Sequence, residues 1–305
     1  MTSPCCSSGR RANASNWANS KPSDRVSTTS SCSWPKKPRR ERRGWLVSDA
    51  RLAVAQTRFA LRGYARDTSA LVFTALFPVI LLLLFNAIFK GTTKFDGRGV
   101  PSGAYYTASI ISYVITLVSF GSLLNRVTTA RERGLLKRFR GTPMPSWVYL
   151  VSEIGRTVVV VYATVALMVA VGAIFYHVHL SGHLFLGLVV YVALGVCCFC
   201  SLALALSGAC KTADSASAIG PLAATILSFL SGVFIPAFLL PTWLIDIGKV
   251  FPLEHAAQGL QSAFLIAGST GINAINTGVL LAWAVVALVV ASRSFRWEAR
   301  GPGVS

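Results

Sequence analysis

The sequence has few carboxylates and none in its long apolar runs. Asp and Glu total 11 against 29 Lys and Arg, and six hydrophobic runs lack Asp, Glu, Lys, Arg and His altogether. A transporter driven by protons or sodium usually holds its ion on a charged side chain at membrane depth, so this absence disfavours that class. The motif G-x-x-x-x-G-K-[ST] is also missing, so the chain has no P-loop of its own for ATP. No Ser/His/Asp set indicates an enzyme, and no set of ligands indicates a metal site.

Uncharged hydrophobic runs dominate what is present. Of 305 residues, 53% are hydrophobic and only 13% are charged, a balance typical of membrane proteins. The six runs are Leu71–Phe89, Ala104–Leu124, Thr157–Tyr176, Leu184–Leu206, Ala218–Leu240 and Ile272–Ser292. Each is long enough to cross a hydrocarbon core of about 30 Å as a helix, and none alternates in polarity like a barrel strand. The sequence therefore predicts an all-α membrane protein with six transmembrane helices.

The distribution of positive charge predicts the orientation of these helices. The loop 125–156 is strongly basic, whereas the segments placed on the opposite side hold only Lys90, Lys94, Arg98 and Lys249. Basic loops stay in the cytoplasm, so both termini are expected there, with a first span that no cleavage site removes. The formal net charge is +18, but no groove-reading module accompanies it, so nucleic acid is not an expected partner.

Composition divides the chain into four segments. Residues 1–44 are rich in Ser, Asn, Pro and Arg, which predicts a disordered basic tail, unless translation begins later, at Val26 or Val47. Residues 45–70 predict an amphipathic helix in the membrane interface, with a plain solvated helix as the alternative. Its basic stripe consists of Arg51, Arg58, Arg62 and Arg66. Residues 71–295 are expected to form the six-span domain, and 296–305 a short cytoplasmic tail.

The cytoplasmic segment between the second and third spans predicts a contact site. Arg131 to Arg140 is interpreted as a short helix that ends at Thr142-Pro-Met-Pro145, because Pro disfavours helix in the preceding residue. Its apolar side chains are Leu135, Leu136 and Phe139, and Glu132 lies on the same face. Either this helix docks a cytosolic partner or the loop only anchors the bundle through its positive charge.

The segment Arg131-Glu-Arg-Gly-Leu-Leu-Lys-Arg-Phe-Arg140, followed by Thr142-Pro-Met-Pro145, resembles the cytoplasmic loop of ABC-2-type transporter permeases, particularly the daunorubicin-resistance-type exporters. A second similar stretch is Phe229-Leu-Ser-Gly-Val-Phe-Ile-Pro236, with Leu240-Pro-Thr-Trp243 after it. The resemblance covers about residues 45–295. It implies the permease of an ATP-driven exporter in the bacterial plasma membrane, which moves a hydrophobic or amphipathic solute such as a drug, antibiotic, lipid or glycan.

The resemblance also implies the partners and the roles of particular residues. A second copy or a related permease would complete the pathway, and a separate cytosolic ATP-binding subunit would supply ATP and Mg, leaving this chain without a cofactor. The loop would act as a coupling helix, and the interfacial helix would also touch the ATPase. The expected coupling residues are Glu132, Arg133, Gly134, Leu135, Leu136, Lys137, Arg138 and Phe139.

The outer side predicts a cap for the pathway. Residues 241–271 contain two apolar pieces too short to span, which favours short re-entrant helices between spans 5 and 6. The candidate pathway residues are Phe229, Gly232, Phe234, Pro236 and Glu254. For the two Phe residues ordinary packing is the alternative, and for Glu254 it is an exposed loop.

Two other functions are compatible with a six-span chain. A secondary transporter or channel would work without ATP and respond to a proton gradient. A non-transporting membrane scaffold would purify without any ATPase.

Overall fold

A computed structural model describes residues 42–89, 91–95, 98–135, 146–177, 182–210, 212–236, 239–265 and 272–294. The predicted tails 1–44 and 296–305 lie outside these residues, except that 42–44 belong to the first helix. In the described part the chain is almost entirely helical. The helices are α1 (Arg42–Arg66), α2 (Thr68–Ile88), α3 (Ser102–Glu132), α4 (Ser146–Tyr176), α5 (Gly182–Ser207), α6 (Ala213–Leu230), α7 (Thr242–Gly248), α8 (Pro252–Leu265) and α9 (Ala274–Ser294).

The six predicted spans are confirmed as helices. By length and composition α2, α3, α4, α5, α6 and α9 can each cross a membrane. The segment predicted to lie in the membrane interface forms the separate helix α1, and Asp67 alone divides it from α2. The Asp67 side chain accepts a hydrogen bond from Ala70 N at 3.1 Å, which satisfies a free amide at the start of α2.

The second span, α3, is the central helix of the bundle. In its most apolar stretch 83% of the residues are buried, against 17% for α2. Its hydroxyl groups bond back to carbonyls one turn earlier, as Thr107 does to Gly103 O at 2.7 Å and Thr116 to Ser112 O at 3.0 Å. Such bonds satisfy the hydroxyl groups of these residues inside an apolar bundle.

Helices α3 and α6 cross at two glycines. Residues Leu117–Ser122 of α3 form a π-helical turn that contains Gly121. A Cβ atom added to Gly220 of α6 would lie 2.9 Å from the Gly121 Cα atom, closer than packed atoms allow. The two backbones therefore touch, which only residues without a side chain permit.

The fifth span is shorter than predicted. Helix α6 ends at Leu230 and not at Leu240, because Gly232 adopts a positive φ of 67° and reverses the chain. Pro236 and Pro241 follow within ten residues and also interrupt a helix. The short helices α7 and α8 then lie between spans 5 and 6, as the sequence predicted.

A small hairpin joins α2 to α3, which the sequence analysis did not predict. Strands β1 (Thr92–Phe95) and β2 (Arg98–Pro101) pair antiparallel, with Thr92 opposite Pro101 and Phe95 opposite Arg98. With four residues each, these strands are too short to register as alternating patterns.

Candidate functional site at the predicted cytoplasmic helix ends

Helix α3 ends inside the segment that the sequence analysis interpreted as one helix. Arg133 and Gly134 form a turn after Glu132, with Gly134 at φ 66° and its amide bonded to Arg131 O at 3.1 Å. A left-handed residue after the last turn ends many helices, and glycine adopts it without strain. The predicted helix from Arg131 to Arg140 is therefore interrupted at its fourth residue. Residues 136–145 lie outside the described part.

Arg131 binds the end of the fourth span. Its side chain is 7% exposed. One guanidinium nitrogen, Nη1, donates to Ser207 O at 2.7 Å, and Nη2 donates to the carbonyl of Cys210. Ser207 is the last residue of α5, where carbonyl groups lack partners within the helix and the dipole favours a cation. Arg131 thus caps α5 from a position 76 residues earlier in the chain.

Glu132 binds the start of the fifth span. Its Oε2 atom accepts a hydrogen bond at 2.6 Å from the amide of Ala213, the first residue of α6. Thr212 and Ser215 complete a capping box at the same helix end. A carboxylate is favourable there because free amides and the helix dipole both attract negative charge. Arg131 and Glu132, adjacent in sequence, thus hold both sides of the loop between α5 and α6. We call this arrangement the Arg131–Glu132 clamp.

The predicted coupling residues are accessible where the structure describes them. Glu132, Arg133 and Leu135 are exposed, and Gly134 is half-buried. Leu136, Lys137, Arg138 and Phe139 lie outside the described residues. Their contact with an ATPase stays a prediction. Glu132 also has a partner inside the chain, which its position in the sequence did not indicate.

The basic residues of α1 face away from the bundle. Arg51, Arg58, Arg62 and Arg66 are all exposed, as are the apolar Leu52 and Phe59 beside them. The opposite face packs on α4, where Ala53 is buried and Thr57 Oγ1 donates to Ser152 O at 3.4 Å. A helix in the membrane interface and a solvated helix on the bundle surface would both show this division of faces, so the interfacial location stays a prediction.

A buried ion pair lies behind α1, and the sequence analysis missed it. Arg156 Nε donates to Glu153 Oε2 at 3.0 Å, and their side chains are 1% and 8% exposed. The Arg156 guanidinium also lies 5.5 Å from the centre of the Tyr64 ring, a cation–π distance. The sequence analysis treated Arg156 as one more charge of the cytoplasmic loop. The three-residue spacing from Glu153 was the available signal for a pair.

The candidate pathway residues predicted to lie on the outer side differ in exposure. Phe229 is 43% exposed on α6, whereas Phe234 is 4% exposed. The Phe234 ring lies 5.0 Å from Tyr113 and 5.3 Å from Phe85 between ring centres, so it packs in an aromatic cluster of the protomer. Pro236 is buried, and the Gly232 carbonyl accepts a hydrogen bond from Tyr105 Oη at 2.9 Å.

Glu254 is buried on the outer side and does not face an open vestibule within the protomer. It is 7% exposed on α8, its Oε1 accepts from Gln258 Nε2 at 2.9 Å, and its Oε2 has no hydrogen-bond partner. Burial raises the pKa of this carboxyl above its ordinary value. The neighbouring His255 contacts Asn276 Oδ1 at 3.0 Å and Lys249 O at 2.9 Å, and so joins α8 to α9.

A separate first helix, six apolar helices long enough to span, and two short helices before the last span define a multi-pass α-helical membrane protein. The family model for the ABC-2 type transporter matches residues 52–265, more than two thirds of the chain. The chain belongs to the ABC-2 type transporter family and is an ABC-type permease component. No curated protein matches it. Membership of the family implies a membrane setting and an ATP-binding partner.

Proposed function

We propose that the chain is the membrane-spanning subunit of an ATP-driven exporter in the bacterial plasma membrane. Two copies, or one copy and a related permease, form the pathway, and a hydrophobic or amphipathic solute leaves the cytoplasm through it. A separate cytosolic subunit binds ATP and Mg and docks on the loop after Glu132. The family match to residues 52–265 and the exposed residues at the start of that loop support this proposal.

The observation that carries the proposal is the Arg131–Glu132 clamp. The docking segment begins directly after the clamp. The clamp is bonded to the last carbonyl of α5, to the Cys210 carbonyl three residues later and to the first amide of α6. A displacement of the docking segment is therefore applied to three spans together, α3 directly and α5 and α6 through charge-assisted hydrogen bonds. This linkage is what a permease requires if a partner's ATP-driven motion is to move its helices.

Site-specific cross-linking tests the docking surface without knowledge of the solute. A photo-cross-linking residue placed at Leu135, which is 37% exposed, is expected to capture an ATP-binding-cassette subunit co-expressed with the chain. The same residue at Ile275, which is 69% exposed near the outer end of α9, is the matched control and should capture none. Equal capture at both positions, or none at Leu135, would overturn the proposal.

Charge reversal tests coupling. Glu132→Lys places a cation at the α6 N-terminus and removes its bond to Ala213, so ATP-dependent export should be lost while membrane insertion persists. The control Asp246→Lys makes the same charge change at an exposed position on α7. Transport of daunorubicin into inside-out vesicles that requires ATP and the partner subunit supports export. Transport that survives ATP depletion and follows a proton gradient would instead indicate a secondary transporter.

A further inference from the structure

Two neighbouring cavities lie between α1 and the bundle at the predicted cytoplasmic side. The first has a volume of about 590 Å³. We call it the polar cavity, because charged and polar side chains of α3, α4 and the α1–α2 junction line it beside apolar ones such as Phe73 and Leu117. The second has a volume of about 420 Å³ and is an apolar groove between α1, α2 and α4. Tyr64 and Thr74 line both cavities, so the polar cavity and the apolar groove meet at these two side chains. Together the two cavities match the shape of an amphiphilic molecule, which has one polar end and one apolar end.

In the polar cavity the carboxylates have hydrogen-bond or salt-bridge partners, whereas the guanidinium groups form no salt bridge within the described part of the chain. Of its two carboxylates, Glu153 pairs with Arg156 at 3.0 Å and Asp67 caps α2 through Ala70 N at 3.1 Å. Its two guanidinium groups belong to Arg126 and Arg133, and neither forms a salt bridge with a carboxylate of the described residues. The Arg126 guanidinium lies 5.8 Å from the Tyr64 ring centre and is half-buried. A half-buried cation without a salt-bridge partner favours an anionic ligand.

The chemistry of guanidinium selects among anions. Two arginines present planar forks of N–H donors, which match the oxygens of a phosphate group. Basic pockets between helices on the cytoplasmic side are suited to anionic lipid headgroups, since that leaflet carries them. A free phosphate would leave the adjoining groove without a function, whereas a phospholipid fills both cavities.

The groove has the length of part of an acyl chain. Its lining residues on α4 run from Val159 to Leu167, about 12 Å along a helix at 1.5 Å per residue. One leaflet of a hydrocarbon core is about 15 Å thick. On α2 the lining begins at Leu71 and includes Ala75, so the groove leaves the headgroup level and follows the first span into the apolar part of the protein.

We propose that one anionic phospholipid is bound in each protomer, with its phosphate between Arg126 and Arg133 and one acyl chain in the groove between α2 and α4. The lipid lies beneath α1 and joins the interfacial helix, through Tyr64, to α3. This inference does not depend on the export proposal, because it concerns a lipid held within a protomer and not the transported solute.

Native mass spectrometry of the full-length permease in detergent tests the site. Delipidated protein is titrated with phosphatidylglycerol, and one lipid per protomer is expected to bind with higher affinity than the rest. Phosphatidylcholine should bind that site at least tenfold more weakly, because its headgroup carries no net charge. Equal binding of the two lipids would refute the preference for an anionic headgroup. Binding of inorganic phosphate alone, distinguished by its mass, would refute the proposal that the ligand is a lipid.

Matched variants place the site within the structure. Arg133→Gln changes an exposed residue at the turn and is expected to weaken phosphatidylglycerol binding about tenfold, with a larger loss for Arg126→Gln/Arg133→Gln. The control Arg51→Gln/Arg293→Gln removes the same charge from exposed positions that line neither cavity and should leave the affinity unchanged. Ala163→Phe fills the groove and should reduce lipid binding with both arginines present. Wild-type affinity in the arginine variants or in Ala163→Phe would contradict the assignment.

Discussion

Replacing Arg131 by methionine tests the clamp through a stability change that can be worked out in advance. Methionine keeps the apolar stem of the side chain but removes two hydrogen bonds, one to the last carbonyl of α5 and one to the Cys210 carbonyl in the following loop. A hydrogen bond that involves a charged group contributes about 1.5–3 kcal/mol. The Ser207 carbonyl belongs to a residue that is 1% exposed, so water cannot replace its partner. Taking the lower value for each bond gives a loss of about 3 kcal/mol in the free energy of unfolding.

The loss should be visible in thermal unfolding of the purified permease. A chain of this size loses about 2–4 °C of melting temperature per kcal/mol, so Arg131→Met should melt about 6–12 °C below the wild type. Arg66→Met is the matched control, because Arg66 is exposed at the end of α1, and its melting temperature should change by less than about 2 °C. Arg131→Lys should fall between the two, since an ammonium cannot reproduce the fork that reaches both carbonyls. If Arg131→Met melts like its control, the two bonds do not fasten α5 and the clamp is not a mechanical link.

Two further predictions concern the outer side and the helix crossing. Because burial raises the pKa of Glu254, the folded state holds that proton more tightly than the unfolded chain, and stability should fall as pH rises from about 4.5 through the raised pKa. Glu254→Gln cannot ionise and keeps an acceptor for Gln258, so thermal melts at pH 4 and pH 8 should differ less than in the wild type; an unchanged difference would exclude Glu254 as the cause. Gly220→Ala places a methyl group against the Gly121 backbone and should lower the melting temperature. The control Gly278→Ala, with nothing within 4 Å of its Cβ position, should maintain or raise the melting temperature. A higher melting temperature for Gly220→Ala than for Gly278→Ala would contradict the close crossing.

The spans could be predicted from the sequence because their signal is local. An uninterrupted run without charged residues is sufficient to indicate a spanning helix, and all six runs became helices. The predicted end of the fifth span was wrong for a related reason. The run continues to Leu240 without any charge, so its hydrophobicity did not indicate where the helix ends. In the structure the positive φ of Gly232 ends the helix at Leu230, ten residues earlier. Helix termini depend on backbone conformation, which hydropathy does not record.

The roles of individual charges could not be predicted, because they depend on contacts between distant segments. Arg131 and Arg156 look like other arginines of a basic cytoplasmic loop, yet they are 7% and 1% exposed. The partners of Arg131 are 76 and 79 residues further along the chain. Arg133, two residues after Arg131, is exposed. Only the arrangement of helix ends separates a charge that orients the protein in the membrane from a charge that holds two helices together.

The aromatic residues illustrate the same limit. Phe229 and Phe234 are five residues apart, and both were candidates for the pathway. In the protomer Phe234 is enclosed by other rings, whereas Phe229 is 43% exposed. Whether a Phe side chain packs inside the bundle or lines a pathway depends on which helix faces meet. The sequence does not contain that information explicitly. Of the two residues, Phe229 keeps a surface for a second protomer or a solute.

Helices α3 and α6 are fastened to each other at three levels, and this arrangement constrains how a permease of this kind can move. At the cytoplasmic end Glu132 binds the first amide of α6 at 2.6 Å. In the middle Gly121 and Gly220 bring the two backbones into contact, and at the outer end Tyr105 bonds at 2.9 Å to the Gly232 carbonyl just after α6. Opening a path between these two helices would break all three contacts at once, whereas moving them as one body breaks none. Under the proposed function, a force applied to the loop after Glu132 would therefore displace α3 and α6 together, and access to the pathway would change where this unit meets other surfaces, such as a second permease subunit.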